Sequence, residues 1–525
     1  MDPVSLAGLG FAVFGTIDLC LKSCDDPNKS ARYGKYAVAI CKDQARMDEE
    51  LDELFDTYVG LWTKTEVQLQ SLKELWNTLP GPLQEHYFNA LNRLQSKEFA
   101  AWKSLESIRT NSEAEKPQSS LRKLRGQAKW ISMRKEVKQA VSDLEEWQFK
   151  FDPSWYLITR IVSATVDEKL QTVPENPASR RLAQMRQAVK KLSMSESIQS
   201  TETIFRDSTI VQANLRQIPR TNTFMSAYVD TDRSVLLDCT HYPPDTPAER
   251  VKPYVRNLAR LLRHVDPATF GLLKCNGVIE LQDMTGSRTS QFQFILDIPQ
   301  GLSSTPTTLR HLLIEQSQYP LNQRIQLARQ LARSVMFVHT AGFVHKNIRP
   351  ETILVFSEAG KITIQSFLTG FERIRPAEAP TELYGDLSWA ANLYRHPQRQ
   401  GAWPEDMFKM QHDVYSLGVC LLEIGLWCSF VRDDGDRLVP WAELDILAAL
   451  SDKDPKRGAS AIKRKMLSLA RDRLPVLVGE RYTNLTTACL TCLDKGDQNT
   501  FGTEKELQDQ DGILVGVRYI EKTMT

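Results

Sequence analysis

The sequence predicts a multidomain protein in which an all-α helical bundle precedes an α+β domain of two lobes. Three observations carry that expectation. The first part, to about residue 170, is almost free of strand signals and repeats apolar residues at helical spacing; short β-type runs around one helix appear from about 225; helices dominate again after 308.

The whole chain sets the outer limits. Its 525 residues, 42% hydrophobic and 25% charged, suffice for two or three domains, each with a core of its own. A formal net charge of +1 gives no electrostatic reason to expect nucleic acid as a partner. Nine scattered cysteines make no disulfide framework, and the N-terminus lacks the basic region of a secretory signal, so the expected location is cytoplasmic. Cys489 and Cys492 sit in an apolar helical run with no second ligand pair nearby, and burial in a core is the expected role. Neither a metal nor another cofactor is expected.

The N-terminal segment has no charge between Asp2 and Asp18 and is dense in Gly, Ala, Leu and Phe. Fifteen uncharged residues fall short of the roughly 20 needed to span a bilayer, and so uniformly apolar a helix should be buried at rest. Leu6, Leu9, Phe11, Val13, Phe14 and Ile17 give about −2 to −4 kcal/mol toward insertion, against which Asp18 costs up to about 2.5 to 3.5. Insertion of one copy is therefore close to neutral. Gly8, Gly10, Ala12 and Gly15 are small residues that let helices in lipid approach closely.

Bundle-length helices come next, with apolar stripes such as Leu51, Leu54 and Phe55 or Tyr87, Leu91 and Leu94. They are broken at Asp26-Pro27-Asn28, at Leu79-Pro80-Gly81-Pro82 and across the polar stretch 111 to 120. An opening Asp-Pro-Val-Ser-Leu-Ala-Gly, the glycine-rich apolar helix and the helical region behind it resemble the HeLo domain of fungal heterokaryon-incompatibility (prion-inhibition and propagation) proteins. That resemblance implies a domain over 1–172, with an outer limit near 215, which exposes its first helix on activation, oligomerises and permeabilises membranes. The family's C-terminal amyloid segment has no obvious counterpart in this chain.

Residues 173–224 read as a linker with connecting helices, opening on Pro174-Glu175-Asn176-Pro177 and carrying the basic pairs Arg180, Arg181 and Lys190, Lys191. Strand-type runs then appear at 234–238, 277–281 and 291–296, around a helix from Pro247 to His264.

The most informative stretch is Phe343-Val-His-Lys-Asn-Ile-Arg-Pro-Glu-Thr-Ile-Leu-Val355. A long apolar helix, Leu321 to Val338, feeds into it; a hairpin, Ile353 to Phe356 and Lys361 to Leu368, comes after it; and His412-Asp413-Val-Tyr-Ser-Leu-Gly418 lies further on. These marks resemble the protein kinase family over 225–525. In that family's catalytic loop an Asp accepts the substrate hydroxyl proton and an Asn holds magnesium. Here His345 is retained, while Lys346, Asn347 and Arg349 stand where Arg, Asp and Lys usually do, and Thr352 replaces the metal-holding Asn. An amide has no usable proton affinity at neutral pH.

Other departures agree. The metal motif reads either Ser366-Phe367-Leu368 or, preferred by the similarity of its downstream residues, Gly370-Phe371-Glu372, and neither register has an Asp at its head. No glycine occurs from residue 127 to 270, so the phosphate-cradling loop is absent, and Asp238 occupies the position of the phosphate-pairing lysine. Lys252 lies in or just before the next helix, and Tyr394-Arg-His-Pro397-Gln398 resembles the A-P-E element with Gln for Glu. By contrast Asp413 is expected to keep a structural role, its carboxylate binding backbone N–H groups of the catalytic loop.

The expectation is thus a pseudokinase with no catalytic, cofactor-binding or metal residues of its own. It regulates a helical domain whose first helix inserts in membranes, as in programmed cell death or fungal incompatibility. Self-association, an upstream receptor or activator and, on activation, the plasma membrane are the expected partners. Two alternatives are an unconventional protein kinase and a non-enzymatic interaction adaptor. A carboxylate and a lysine placed together beside Asn347 would overturn the non-catalytic reading.

Overall fold

The computed structural model describes residues 204–240, 248–282, 289–315, 319–357, 364–373, 375–376, 388–401, 408–435, 437–494 and 499, with a discontinuous set between 57 and 158. Two compact units divide the chain, Met1–Gln187 and Ala188–Thr525. The apolar N-terminal helix and its residues Leu6 to Ile17 lie outside the described residues, as does 173–203.

In the first unit the described residues are helical apart from the break at Leu79-Pro80. Tyr87, Leu91 and Leu94, one apolar stripe by spacing, are all fully buried. Trp147 donates its indole N–H to the Ala90 carbonyl at 2.8 Å and stacks on Phe151, so helical residues 83–94 and 138–147 share a core. A 3-10 turn, Trp76–Thr78, leads into the break at Leu79-Pro80, where the proline ring cannot continue the preceding turn. Among the described residues no helix is long and apolar enough to cross a membrane.

The second unit starts with a six-stranded sheet. Its strands are β1 (Phe205–Arg206), β2 (Arg216–Gln217), β3 (Thr223–Ala227), β4 (Ser234–Thr240), β5 (Lys274–Gln282) and β6 (Thr289–Asp297), in the order β1-β5-β6-β4-β3-β2. All neighbours are antiparallel except β1 and β5. The sheet reaches back to Phe205, whereas the sequence pattern predicts this domain only from 225. Strands of two residues carry no periodicity to detect. One helix, α1 (Ala248–Leu262), packs on β5 and β6, within one or two residues of its expected limits. Val235, Leu237, Ile279 and Ile295 form the apolar layer of one sheet face with Val211 and Tyr228.

The short α2 (Pro267–Phe270) precedes β5. The larger, mainly helical part begins with β7 (Thr307–Thr308), α3 (Leu309–Glu315) and α4 (Leu321–Thr340). From Leu327 onward most of α4 is buried, and it ends one turn before β8 (Phe343–Val344), so it delivers His345 directly. β9 (Ile353–Ser357) pairs with β10 (Ile364–Leu368), and β11 (Arg375–Pro376) returns to β8. After α5 (Trp389–Asn392) comes α6 (Met410–Leu426), whose residues from Gln411 to Gly425 are all buried. A helix buried on every side belongs at the centre of a unit, and its polar side chains, Asp413 and Glu423 among them, are hydrogen-bonded there. The hairpin β12 (Val431–Asp434) and β13 (Arg437–Pro440), the short α7 (Leu447–Leu450), α8 (Pro455–Val478) and α9 (Glu480–Thr491) are the last elements among the described residues.

Gly418 makes one close approach possible. A Cβ there would lie 2.8 Å from the Cβ of Cys489, so α9 seats against bare backbone of α6. Cys489 and Cys492 are free, buried thiols, and burial pushes Cys489 up to about 12.

Candidate functional site

A cleft forms where the turn between β2 and β3 faces the segment after β8. It is lined by Arg220, Asn222, Asn347, Arg349, Thr352 and Glu372, among others, and encloses about 230 Å³ with open solvent included. Its bottom has room for about one water molecule. Ligand pockets run from roughly 300 to 1,000 Å³.

The loop 345–352 is held from below by Asp413 at the start of α6. One carboxylate oxygen accepts the His345 backbone N–H at 2.7 Å and contacts the His339 ring at 3.0 Å; the other accepts the Lys346 N–H at 2.9 Å. Burial alone would raise the pKa of Asp413, but the His339 hydrogen bond, the nearby imidazoles and the His345 N–H hold it below the usual range. Lys346 is left-handed (φ 67°), which turns its side chain out over the Phe408 ring. His345 donates from Nε2 to the Thr369 carbonyl and accepts the Asn347 N–H on Nδ1, and burial lowers its pKa to about 4, so it is a neutral strut. Thr352 donates its hydroxyl hydrogen to backbone, with the Asn347 and Arg349 carbonyls at 2.8 and 2.9 Å.

The two registers considered for the metal motif lie in different surroundings. Ser366-Phe367-Leu368 is the buried end of β10, where both the backbone N–H and the hydroxyl of Ser366 donate to Gln330. Gly370-Phe371-Glu372 lies just beyond that strand, with Gly370 left-handed (φ 80°) and facing Thr352 and Asn347.

Glu351 and Glu372 line the cleft and Asp238 is buried near it, and the engagement of these acids is not legible in the sequence. Glu372 accepts the Asn347 side-chain amide at 2.8 Å on one oxygen and the Asn222 amide on the other, so it bridges the sheet turn and the loop. Asp238, fully buried on β4, accepts the Gly370 and Phe371 N–H groups at 2.9 and 3.0 Å and the Thr223 hydroxyl at 3.1 Å. Burial pushes its pKa up to about 6; the Phe371 N–H and Thr223 hydroxyl oppose that, and the charge on Glu372 adds to it. The position expected to have lost a lysine therefore carries an acid that holds the metal-motif backbone to the sheet.

Among the described residues no lysine lines this cleft; the cations that do are Arg220 and Arg349. Lys252 instead pairs with Glu280 at 2.8 Å and lies over the Phe205 ring. Among the described residues, no three His, Cys, Asp or Glu side chains are grouped to hold a metal ion. At the turn where a phosphate loop would lie, Ile218 and Thr223 close on each other and Arg220 pairs with Asp433 of β12.

Beneath the loop lies a buried charge cluster. Arg310 of α3 pairs with Glu351 at 2.9 Å and donates to Tyr394, Ser429 and the Val431 carbonyl. Glu423 accepts the Tyr394 hydroxyl and the Phe430 N–H, and burial pushes its pKa up to about 7 against the pull of Arg310.

No protein-family model matches the chain. Partial similarity links it to a serine/threonine-protein kinase-like protein of Arabidopsis thaliana, 36% identical over 107 residues, 19% of this chain and 27% of the relative. Serine/threonine-protein kinase PknL of Mycobacterium tuberculosis is 34% identical over 118 residues, 22% of this chain and 27% of the relative. Mitogen-activated protein kinase 10 of Oryza sativa subsp. japonica is 26% identical over 168 residues, 32% of this chain and 26% of the relative. These similarities support a kinase-like domain. The chain spans about a quarter of the length of these relatives. The mixed sheet-and-helix architecture of the second unit is compatible with such a domain.

Proposed function

We propose that the kinase-like domain is a non-catalytic signalling module. One observation carries the reading: the residue at the proton-accepting position, Asn347, is an amide that donates its N–H to Glu372. A general base must offer a lone pair of suitable basicity to the substrate hydroxyl, and this side chain offers none. Of the acids that line the cleft, Glu372 is engaged by two amides and Glu351 by Arg310, while the buried Asp238 holds backbone N–H groups.

The module's output, in this reading, is a conformational signal to the helical N-terminal region, whose segment Val4 to Ile17 inserts in membranes when released. The membrane role rests on the apolar sequence and the HeLo resemblance. A cell-death or incompatibility effector is the function that joins the two.

Two measurements test the proposal. Purified full-length protein with Mg-ATP and generic acceptor peptides should transfer no phosphate above a blank, and titration with ATP, with and without magnesium, should show no saturable site. Steady phosphotransfer abolished by Glu372→Gln would overturn it. For the membrane arm, vesicles of anionic lipid should leak with the unaltered chain and not with the Leu9→Glu, Phe11→Glu variant; equal leakage from both would remove that arm.

A further inference from the structure

One of the two edge strands differs from the rest in direction. β1, two residues long like β2 at the opposite edge, is added in parallel to the edge of β5, with Phe205 opposite Val278 and Arg206 opposite Ile279. The Val278 N–H donates to the Ile204 carbonyl at 3.0 Å.

Three features fit this segment to that edge. Ile204 is buried. The Phe205 ring sits 6.0 Å from the Phe292 ring, with the Lys252 ammonium 5.1 Å and the Arg256 guanidinium 5.9 Å from its centroid. Lys252 is itself braced by Glu280 on β5, so the socket is built from α1 and the sheet together. At Gly277 a Cβ would lie 2.5 Å from Arg206 Cγ and 3.1 Å from the Ile204 carbonyl oxygen. Gly277 is not left-handed, so its own conformation does not require glycine. The crossing segment does.

We propose that the β5 edge, this aromatic-cationic socket and the gap at Gly277 form a strand-docking site, which residues 204–206 occupy reversibly and which the same segment of a second copy fills when chains associate. Two paired residues make a short ladder, and departure of the segment uncovers a strand edge able to template another. Every copy carries both plug and socket, so exchange between two chains restores each contact that was given up. The proposal is independent of whether the cleft is catalytic.

The test uses the full chain and a fluorescent peptide spanning residues 200–210. Phe205→Ala loosens the chain's own plug, so the peptide should bind that variant about tenfold or more tightly than the unaltered chain, whose site is mostly filled. Adding Gly277→Val to Phe205→Ala should abolish peptide binding while the melting temperature shows a folded unit. Sedimentation of the unaltered chain should show concentration-dependent dimers that Phe205→Ala removes. Hydrogen exchange on the unaltered chain gives a reading free of substitutions: the Val278 amide should exchange at least about tenfold faster than amides of β4. Protection of Val278 equal to that of β4, or peptide binding indifferent to the Gly277 change, would overturn the proposal.

Discussion

The Asn347 amide lies 2.8 Å from Glu372, a carboxylate whose second oxygen accepts the amide of Asn222. One acid thereby ties the sheet to the loop that in active kinases carries the base. Substituting Asn347→Asp would set two carboxylates face to face in a partly buried cleft, so the change that superficially restores a kinase motif should instead destabilise the unit by about 1–3 kcal/mol. Thermal unfolding checks this, and Glu372→Gln in the same chain should recover most of the loss. The double variant is still expected to transfer no phosphate.

Asp413→Ala should be more damaging. It orphans the buried N–H groups of His345 and Lys346 and removes the carboxylate that the His339 ring contacts, at a cost of about 2–5 kcal/mol. Chemical denaturation gives the magnitude. Hydrogen exchange should show the His345 and Lys346 amides losing protection first.

The elements that frame the loop are legible in the sequence because they are long or strongly patterned. The helix expected over 321–338 is observed at 321–340, and the expected 247–264 at 248–262. What escapes is non-local. Nothing in the neighbourhood of Asp238 announces that its carboxylate meets Gly370 and Phe371, 132 and 133 residues away. In the sequence Glu372 is only the tail of a degenerate motif, although a charged residue beside a left-handed glycine and amide-bearing neighbours offers a weak signal. Arg310 resembles a surface residue of a short amphipathic helix. Its burial is decided by Glu351 and Tyr394, which only the fold brings near.

Arg310→Ala should cost about 3–5 kcal/mol, because it leaves Glu351 and Glu423 as uncompensated buried acids. Calorimetric melting tests this directly. Arg310→Lys should rescue only part of the loss, since a single ammonium cannot reach Tyr394, Ser429 and Glu351 at once.

Asp238 makes stability depend on pH. Its folded pKa of about 6 lies above the unfolded value near 4, so between those limits the folded chain holds the proton that the unfolded chain has released. Stability should therefore fall as pH rises from about 4 to 6, by up to about 3 kcal/mol from this group. Glu423 acts with the same sign over a window reaching about 7. Denaturation midpoints across pH 4 to 8 measure the slope, and Asp238→Asn should flatten its lower part.

Gly370 couples the backbone after β10 to the side chain of Thr352. A Cβ at that position would meet the Thr352 side chain, with Thr352 Cβ at 2.9 Å, and Thr352 is fixed in turn by its bonds to the Asn347 and Arg349 carbonyls. An aspartate at 370 alone would collide with Thr352. A side chain at 370 would therefore need a compensating change at Thr352, and the two positions can vary only together.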